Sequence, residues 1–325
     1  EALIGCMAGQ RDTGSIEGFS ELFRALLQCR MALERQAAAP DDYAALWSGA
    51  KEKSLRLLCL NISDHLRECT RRLRGSVCFS AALSPLEEMK ALLGGEEEDA
   101  VFALPSPFPP DHLLVMARAV NTRYQQRQES AAAIARSIAA LCAGRAGRYA
   151  AYFPSYAYLV LIREQLETLY PGLPLNVQDR GMEEEARLRF LDRMKSAEGT
   201  LLSLCVLGGI FSEGIDLPGS QLIGAAVVGV GLPQVNAEQE ALRDYYQQSV
   251  GDGFGFAYRT PGMQKVLQAA GRVIRGEDDA GVVLLLDDRY REAAYRRLLP
   301  PHYNVKTARD EAEIQRMAKD FWQSH

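Results

Sequence analysis

Five nearly continuous apolar segments, separated by stretches with helical spacing, constrain the fold of this chain most strongly. The segments are 148–154, 173–179, 200–207, 222–231 and 281–288. Strands that are apolar along their whole length are typical of a parallel sheet whose two faces are both covered. Helical patterns separate the segments, at 155–169, 183–196, about 236–249 and 261–274. We therefore predict an α/β domain with a parallel sheet and helices on both of its faces.

The residues before this domain show a shorter alternation of the same kind. A helical pattern covers residues 1–50. Strands are predicted at 54–61, 75–80 and 112–120, and helices at 61–73 and from Pro85 onward. A long amphipathic helix over about 126–142 leads into the second half, and a last helix is predicted at 308–323. The first half has too few strands for a complete doubly wound domain.

Length and charge set broad limits on the kind of protein. A chain of 325 residues is long enough for about two domains. The net charge of −5 argues against a generally basic nucleic-acid coat but allows one cationic groove. No apolar run is long enough to predict a transmembrane helix, and no signal peptide is recognised. We expect a cytoplasmic protein without a membrane partner, and the start at Glu1 suggests a fragment.

Cysteine and histidine spacing predicts no metal site. The seven cysteines are scattered without a C-x-x-C pair, which favours reduced, mostly buried thiols. The four histidines are far apart in the sequence.

Phosphate-binding motifs are missing from the sequence. It contains no G-x-x-x-x-G-K-[ST] segment and no D-E-A-H or comparable acidic magnesium motif after a strand. The first of these supplies the amides, lysine and hydroxyl that hold nucleotide phosphates and Mg²⁺. These residues alone should therefore not hydrolyse ATP.

The segment QAAGRVIR, residues 268–275, is the strongest candidate for chemistry. If the predicted helix runs to residue 274, Gln268, Arg272 and Arg275 fall at i, i+4 and i+7 on one stripe. Two guanidinium groups and an amide on one stripe suit a polyanion, because guanidinium binds phosphate oxygens in a bidentate manner. The alternative is a pair of surface arginines that neutralise nearby carboxylates.

Three further segments have a weaker signal when each is taken alone. FSEGIDLPG (211–219) follows an apolar strand, where ligands of open parallel sheets bind. YFPSYAYL (152–159) places Ser155 as the cap of a helix, whose free amides could hold a phosphate. SVCFSAALSP (76–85) contains most of the predicted strand at 75–80 and the residues that follow it. An acidic turn and an ordinary capped helix are the alternatives for the first two.

Together the four segments resemble motifs III, IV, V and VI of superfamily 2 helicases, most closely those of the XPD/DinG branch. They occur in the family's order, from residue 76 to residue 275. The resemblance implies a RecA-like second motor domain at 126–325 and the C-terminal part of a first motor domain at 51–125. It also implies that residues 1–50 are the end of a helical arch insertion.

The resemblance also implies roles for residues around a nucleotide. Arg272 and Arg275 would reach the ATP γ-phosphate as arginine fingers, with Gln268 supporting them. In the motif V segment, Gly214 and Asp216 would couple the nucleotide site to DNA, and Glu213 would order the loop.

DNA contacts are implied for a second set of residues. Ser155 and Tyr156 would lie near the DNA backbone, and Arg123, in the segment that links the motor domains, could contact a phosphate. In the motif III segment Ala82 stands where the family usually has Thr, so Ser80 is the hydroxyl that remains. Solvated arginines are an equal alternative for Arg123.

The implied function is that of an ATP-dependent DNA helicase that translocates on single-stranded DNA, 5′ to 3′. ATP and Mg²⁺ would be bound mainly by the missing N-terminal motor domain, and no iron–sulfur cluster is implied within this chain. The main alternative is a non-catalytic module that binds nucleic acid or protein. A metabolic enzyme is a weaker alternative, because no nucleophile–base pair or dinucleotide fingerprint is present.

Overall fold

A computed structural model describes residues 17–49, 53–81, 83–213 and 222–325. The chain forms two compact units. The first comprises Glu1–Arg74 with Leu92–Gly94, and the second comprises Gly75–Ala91 with Gly95–His325.

The described residues of the first unit form two α-helices and a two-stranded antiparallel sheet. Helix α1 spans Glu17–Ala38 and helix α2 spans Ser63–Thr70. Strands β1 (Tyr43–Ser48) and β2 (Ser54–Cys59) pair in antiparallel register. The predicted strand at 54–61 is confirmed, but the helical prediction for 1–50 is wrong over β1. Strand pairing depends on a partner, which periodicity within 43–48 does not reveal.

The second unit is built on a seven-stranded sheet in which every pairing is parallel. Its order is β5-β6-β4-β7-β8-β3-β9. The strands are β3 (Leu113–Arg118), β4 (Arg148–Phe153), β5 (Leu175–Val177), β6 (Leu201–Val206), β7 (Gly224–Val228), β8 (Gly281–Leu286) and β9 (Lys306–Thr307).

Seven helices accompany this sheet along the chain. They are α3 (Leu86–Leu92), α4 (Arg127–Cys142), α5 (Tyr156–Leu169), α6 (Glu184–Ser196), α7 (Ala237–Ser249), α8 (Thr260–Ala270) and α9 (Glu311–Gln323). Short helical turns occur at Ile210–Glu213 and Ala293–Arg296, and a π-helical turn at Gly255–Arg259 precedes α8 directly.

Two apolar cores lie on opposite faces of the sheet, because neighbouring strand residues point to opposite faces. Helices α4, α5 and α9 bury Ile134, Ile162 and Ile314 in the first core. Helices α6 and α8 bury Phe190 and Val266 in the second. The predicted RecA-like parallel sheet with helices on both faces is thereby confirmed, and the C-terminal helix is placed in the first core.

Strand β3 belongs to this sheet, although the predicted boundaries assign it to a first motor domain at 51–125. It pairs with β8 from Leu113↔Gly281 to Arg118↔Leu286. The two strands are far apart in the sequence, so composition alone could not show that they are neighbours. The sheet of the second unit therefore includes a strand from before residue 126.

Residues 75–80 form no strand, contrary to the prediction. A strand requires hydrogen bonds to a neighbour, and no described segment pairs with these residues. Val77 and Phe79 are 86% and 89% exposed.

No helix among the described residues is long and apolar enough to cross a membrane.

Candidate functional site

Loops that follow four strands meet at the carboxyl edge of the sheet. A Cβ atom added at Gly229, after β7, would lie 3.5 Å from Thr122 Oγ1, 3.9 Å from Pro154 Cγ and 4.0 Å from Asp287 Oδ2. These residues follow β3, β4 and β8. Gly229 has φ +85°, a conformation that favours glycine. The four loops therefore converge on one point.

The position of this point matches the usual ligand site of open α/β sheets. Strands β4 and β7 are neighbours, but α5, which follows β4, packs in the first core. Helix α8, which comes after β7, packs in the second core. When the helices that follow two neighbouring strands pack on opposite faces of a sheet, a crevice opens at the carboxyl ends of those strands.

A buried ion pair connects the loops after β3 and β8. The Asp287 side chain is fully buried. It accepts hydrogen bonds from the Thr122 hydroxyl and from Arg289 Nε and Nη2, both at 2.8 Å. Burial alone would lower the pKa of the Arg289 guanidinium, but the hydrogen bonds and charge of Asp287 outweigh it and raise the pKa. The network fixes both loops relative to each other.

A second, more exposed pair lies beside it. Arg123 Nη1 donates to both carboxylate oxygens of Asp288, at 2.8 and 2.6 Å. Burial would raise the pKa of Asp288, but the bonds and charge of Arg123 lower it overall. The Arg123 side chain remains 47% exposed. The residue predicted to contact DNA therefore has a carboxylate partner in this structure.

The segment after β4 forms the predicted capped helix. Ser155 is the N-cap of α5, and its hydroxyl accepts a hydrogen bond from the Tyr158 amide at 3.3 Å. The Tyr156 hydroxyl accepts one from Gln178 Nε2 at 2.9 Å, and Arg180 lies 5.5 Å from the centre of its ring. Ser155 and Tyr156 are both half-buried, so each retains a surface toward solvent.

Helix α8 ends earlier than the sequence predicts, which changes the geometry of the arginine motif. It stops at Ala270 with Gly271 as its C-cap. The Asp279 carboxylate accepts hydrogen bonds from the amides of Arg275 and Gly276, both at 2.8 Å, and these bonds hold a turn instead. The single helical stripe predicted for Gln268, Arg272 and Arg275 is therefore wrong, because only Gln268 lies on the helix.

Both arginines nevertheless lie near the end of β4. The Tyr152 hydroxyl is buried and has no hydrogen-bond partner within the described part of the chain. Burial raises its pKa, and the positive charges of Arg272 and Arg275 oppose that rise. Arg272 is buried, whereas Arg275 and Gln268 are exposed. The turn itself packs against the amino end of β8, where Val273 lies next to Gly281. The two guanidinium groups therefore act on Tyr152 from a turn and not from a continuous helix.

Part of the predicted site falls outside the described residues. Gly214 and Asp216 are not described, and for Glu213 the structure describes the backbone but not the side chain. Ala82 is not described either. Ser80 is exposed and lies in a segment without regular secondary structure.

The buried pair of Asp287 and Arg289, with Thr122 and Gly229, was not predicted as part of the site. A signal was present, because two consecutive aspartates, residues 287 and 288, directly follow a buried strand. Thr122 gave a similar signal, because it is a polar residue that follows β3, within the segment predicted to link the motor domains. Only the strand order shows that these two strands are neighbours.

Comparison with known families assigns the chain to a class. The model of the helicase C-terminal domain family matches residues 138–305, just over half of the chain. The chain belongs to this family.

The chain is similar to several curated helicases. A probable ATP-dependent helicase of Methanocaldococcus jannaschii is 26% identical in an alignment of 254 positions that covers 73% of this chain and 38% of the relative. Mouse ATP-dependent DNA helicase DDX11 is 26% identical in an alignment of 288 positions that covers 77% of this chain and 31% of the relative. The XPD helicase subunit of general transcription and DNA repair factor IIH from Schizosaccharomyces pombe is 26% identical in an alignment of 274 positions that covers 76% of this chain and 34% of the relative. The chain spans about a third of the length of these relatives.

Solved structures agree on the fold. An apo XPD structure matches with a TM-score of 0.62 and 18% identity, covering 84% of this chain and 56% of the other. An XPD helicase structure matches with a TM-score of 0.56 and 19% identity, covering 84% and 49%. These likenesses support the RecA-like fold of the second unit.

Proposed function

We propose that this chain is the C-terminal motor part of an ATP-dependent DNA helicase of the XPD/DDX11 type. The full-length protein would couple ATP hydrolysis to 5′-to-3′ translocation on single-stranded DNA. The observation that carries the proposal is that Arg272 and Arg275 lie on one turn, which Asp279 holds through the Arg275 and Gly276 amides. Preorganised guanidinium groups on such a turn would stabilise the charge of a nucleotide phosphate.

Arg275 is the better placed of the two arginines to reach a nucleotide on another domain. Its side chain is exposed, and its amide is fixed by Asp279. Arg272 is buried and is therefore less accessible to a nucleotide on another domain. Gln268 is exposed on the last turn of α8 and would support them. A missing N-terminal motor domain would supply the phosphate-binding loop and the acidic Mg²⁺ ligand.

The motif V residues and Ser80 complete the proposal. Gly214, Asp216 and Glu213 follow β6, whose carboxyl end lies beside that of β4. In this proposal the segment links the nucleotide to DNA. Ser80 would act in the same coupling from the motif III segment. The cysteine spacing supports the absence of an iron–sulfur cluster within this chain.

DNA would contact the segment after β4 and, through Arg123, the loop after β3. The free amides at the start of α5 suit a phosphate. Arg123 would have to exchange Asp288 for a DNA phosphate, which is feasible for a pair this exposed.

Ser155 offers a pair of variants that separate capping from DNA contact. Ser155→Ala removes the N-cap hydrogen bond and should lower the free energy of unfolding by about 1 kcal/mol. Ser155→Asp keeps a capping oxygen, so stability should be retained, but its negative charge should weaken binding of single-stranded DNA. Urea unfolding and DNA titration measure the two effects. Unchanged DNA affinity of the aspartate variant would remove Ser155 from the proposed DNA contact.

ATP hydrolysis by the full-length protein, with and without single-stranded DNA, tests the proposed function. We expect DNA to stimulate hydrolysis, and displacement of a strand from a duplex with a 5′ tail but not from one with a 3′ tail. DNA binding without hydrolysis would favour the non-catalytic module, which the alanine at position 82 also favours. Displacement from the 3′-tailed duplex alone would contradict the proposed polarity.

A further inference from the structure

Two histidines and an aspartate meet at the amino edge of the sheet. Asp111 and His112 immediately precede β3, and His325 follows α9. One ligand atom from each of the three side chains lies within 4.8 Å of the other two. Nothing in the sequence spacing predicts this cluster, because His325 is far from the other two in the chain.

Each of the two histidines has a ring nitrogen that is available to a metal ion. His325 Nδ1 lies 3.0 Å from the Phe321 carbonyl oxygen, which accepts a hydrogen bond only if that nitrogen carries the proton. The lone pair is then on Nε2. Metal-binding histidines characteristically donate their second ring nitrogen to a carbonyl in this way. His112 Nδ1 is buried without a hydrogen-bond partner among the described residues, a state that costs free energy unless a ligand satisfies it.

The arrangement of the rings is also compatible with a shared ion. The His112 and His325 rings are perpendicular, with centroids 5.3 Å apart. His325 stacks on Phe321 at 4.4 Å, which fixes its ring on the last turn of α9. Zinc ligands at about 2.0–2.2 Å lie roughly 3.3 Å from each other. Asp111 and His325 are exposed, so small side-chain rotations can close the remaining distance.

We propose that Asp111, His112 and His325 form a site for a divalent transition metal ion such as Zn²⁺. Two imidazoles and one carboxylate suit zinc, whereas Mg²⁺ prefers oxygen ligands throughout. The ion would fasten the end of α9 to the start of β3, and a water molecule would complete a tetrahedral shell. Binding of the ion requires no nucleotide, so this proposal does not depend on the proposed helicase activity.

Titration of the full chain with Zn²⁺, followed by calorimetry, tests the site. We expect one ion per chain, and visible absorption typical of tetrahedral Co²⁺ when Co²⁺ is the probe. His325→Ala and Asp111→Asn alter exposed side chains, so the fold should be retained. Each should weaken Zn²⁺ binding by at least about 100-fold, since even the loss of an outer hydrogen-bond partner costs 10–100-fold. His112→Ala should have the same effect.

Two controls make the result decisive. His302→Ala removes an exposed histidine elsewhere and should leave Zn²⁺ affinity unchanged. Cys69→Ser tests a different donor pair, Cys69 Sγ and His65 Nε2, which are 3.8 Å apart in the first unit. Zn²⁺ affinity that is lost in Cys69→Ser, or retained in both His325→Ala and Asp111→Asn, would overturn the proposal.

Thermal unfolding gives a second readout in the same variants. With free Zn²⁺ at about one hundred times the dissociation constant, the midpoint should rise by about 5 °C in the unaltered chain. The rise should be absent in His325→Ala, and Mg²⁺ should produce none. An equal rise in the unaltered chain and in His325→Ala would also overturn the proposal.

Discussion

Replacing Arg275 with alanine in the full-length protein is expected to lower DNA-stimulated ATP turnover by at least about 100-fold, with DNA affinity largely kept. An arginine finger contributes about 10³–10⁵ in rate, so this figure is conservative. The reason lies in the position of the side chain, which is exposed while its amide is fixed by Asp279. Steady-state hydrolysis and DNA titration of the same preparation measure both quantities.

Two matched variants identify the cause of such a loss. Arg275→Lys keeps the positive charge but loses bidentate geometry, so we expect a turnover between those of the alanine variant and the unaltered protein. Arg189→Ala removes an exposed arginine of α6 that pairs with Glu185. It should leave turnover unchanged. If Arg275→Ala hydrolyses ATP at the normal rate, the arginine-finger assignment is wrong.

Asp287→Asn is expected to cause the largest loss of stability among single changes at the site. The variant leaves the Arg289 guanidinium, whose side chain is 14% exposed, without its counter-ion. Removing one partner of a buried pair costs about 3–5 kcal/mol, since the remaining charge stays desolvated. Urea unfolding of the chain measures the effect as a lower midpoint at an unchanged slope.

Asp288→Asn is the matched control for this prediction. It breaks the neighbouring pair with Arg123, which is substantially exposed, and should cost at most about 1 kcal/mol. A double change, Asp287→Leu with Arg289→Met, removes both buried charges and should cost less than Asp287→Asn alone. Equal losses in Asp287→Asn and Asp288→Asn would show that burial does not set the strength of these pairs.

The strand pattern predicts most of the second unit because it reflects burial directly. Strands β4, β6, β7 and β8 are apolar except for Arg148 and Ser203, as is typical of strands covered on both faces. Strand pairing is less visible in the sequence, because it joins distant segments. Three features of the structure depend on such pairing and were not predicted. They are the membership of β3 in this sheet, the pairing of β1 with β2, and the lack of a described partner for residues 75–80.

Prediction of the site is limited in the same way. The residue types in QAAGRVIR could be identified, but the end of α8 at Ala270 depends on Asp279, nine residues further along. Local periodicity continues the helix through Arg275, whereas the bonds to Asp279 favour a turn. The Asp287–Arg289–Thr122 network and the meeting of His112 with His325 require the folded sheet. Such contacts follow from topology, not from spacing.

Binding of a transition-state analogue tests the central claim most directly. ADP with aluminium fluoride mimics the phosphoryl group in transfer, and a residue that acts on this group stabilises the mimic more than ADP alone. In the presence of single-stranded DNA, the full-length protein should bind the mimic much more tightly than ADP, and Arg275→Ala should lose that difference while its ADP affinity is retained. The same preference for the mimic in both proteins would contradict the account.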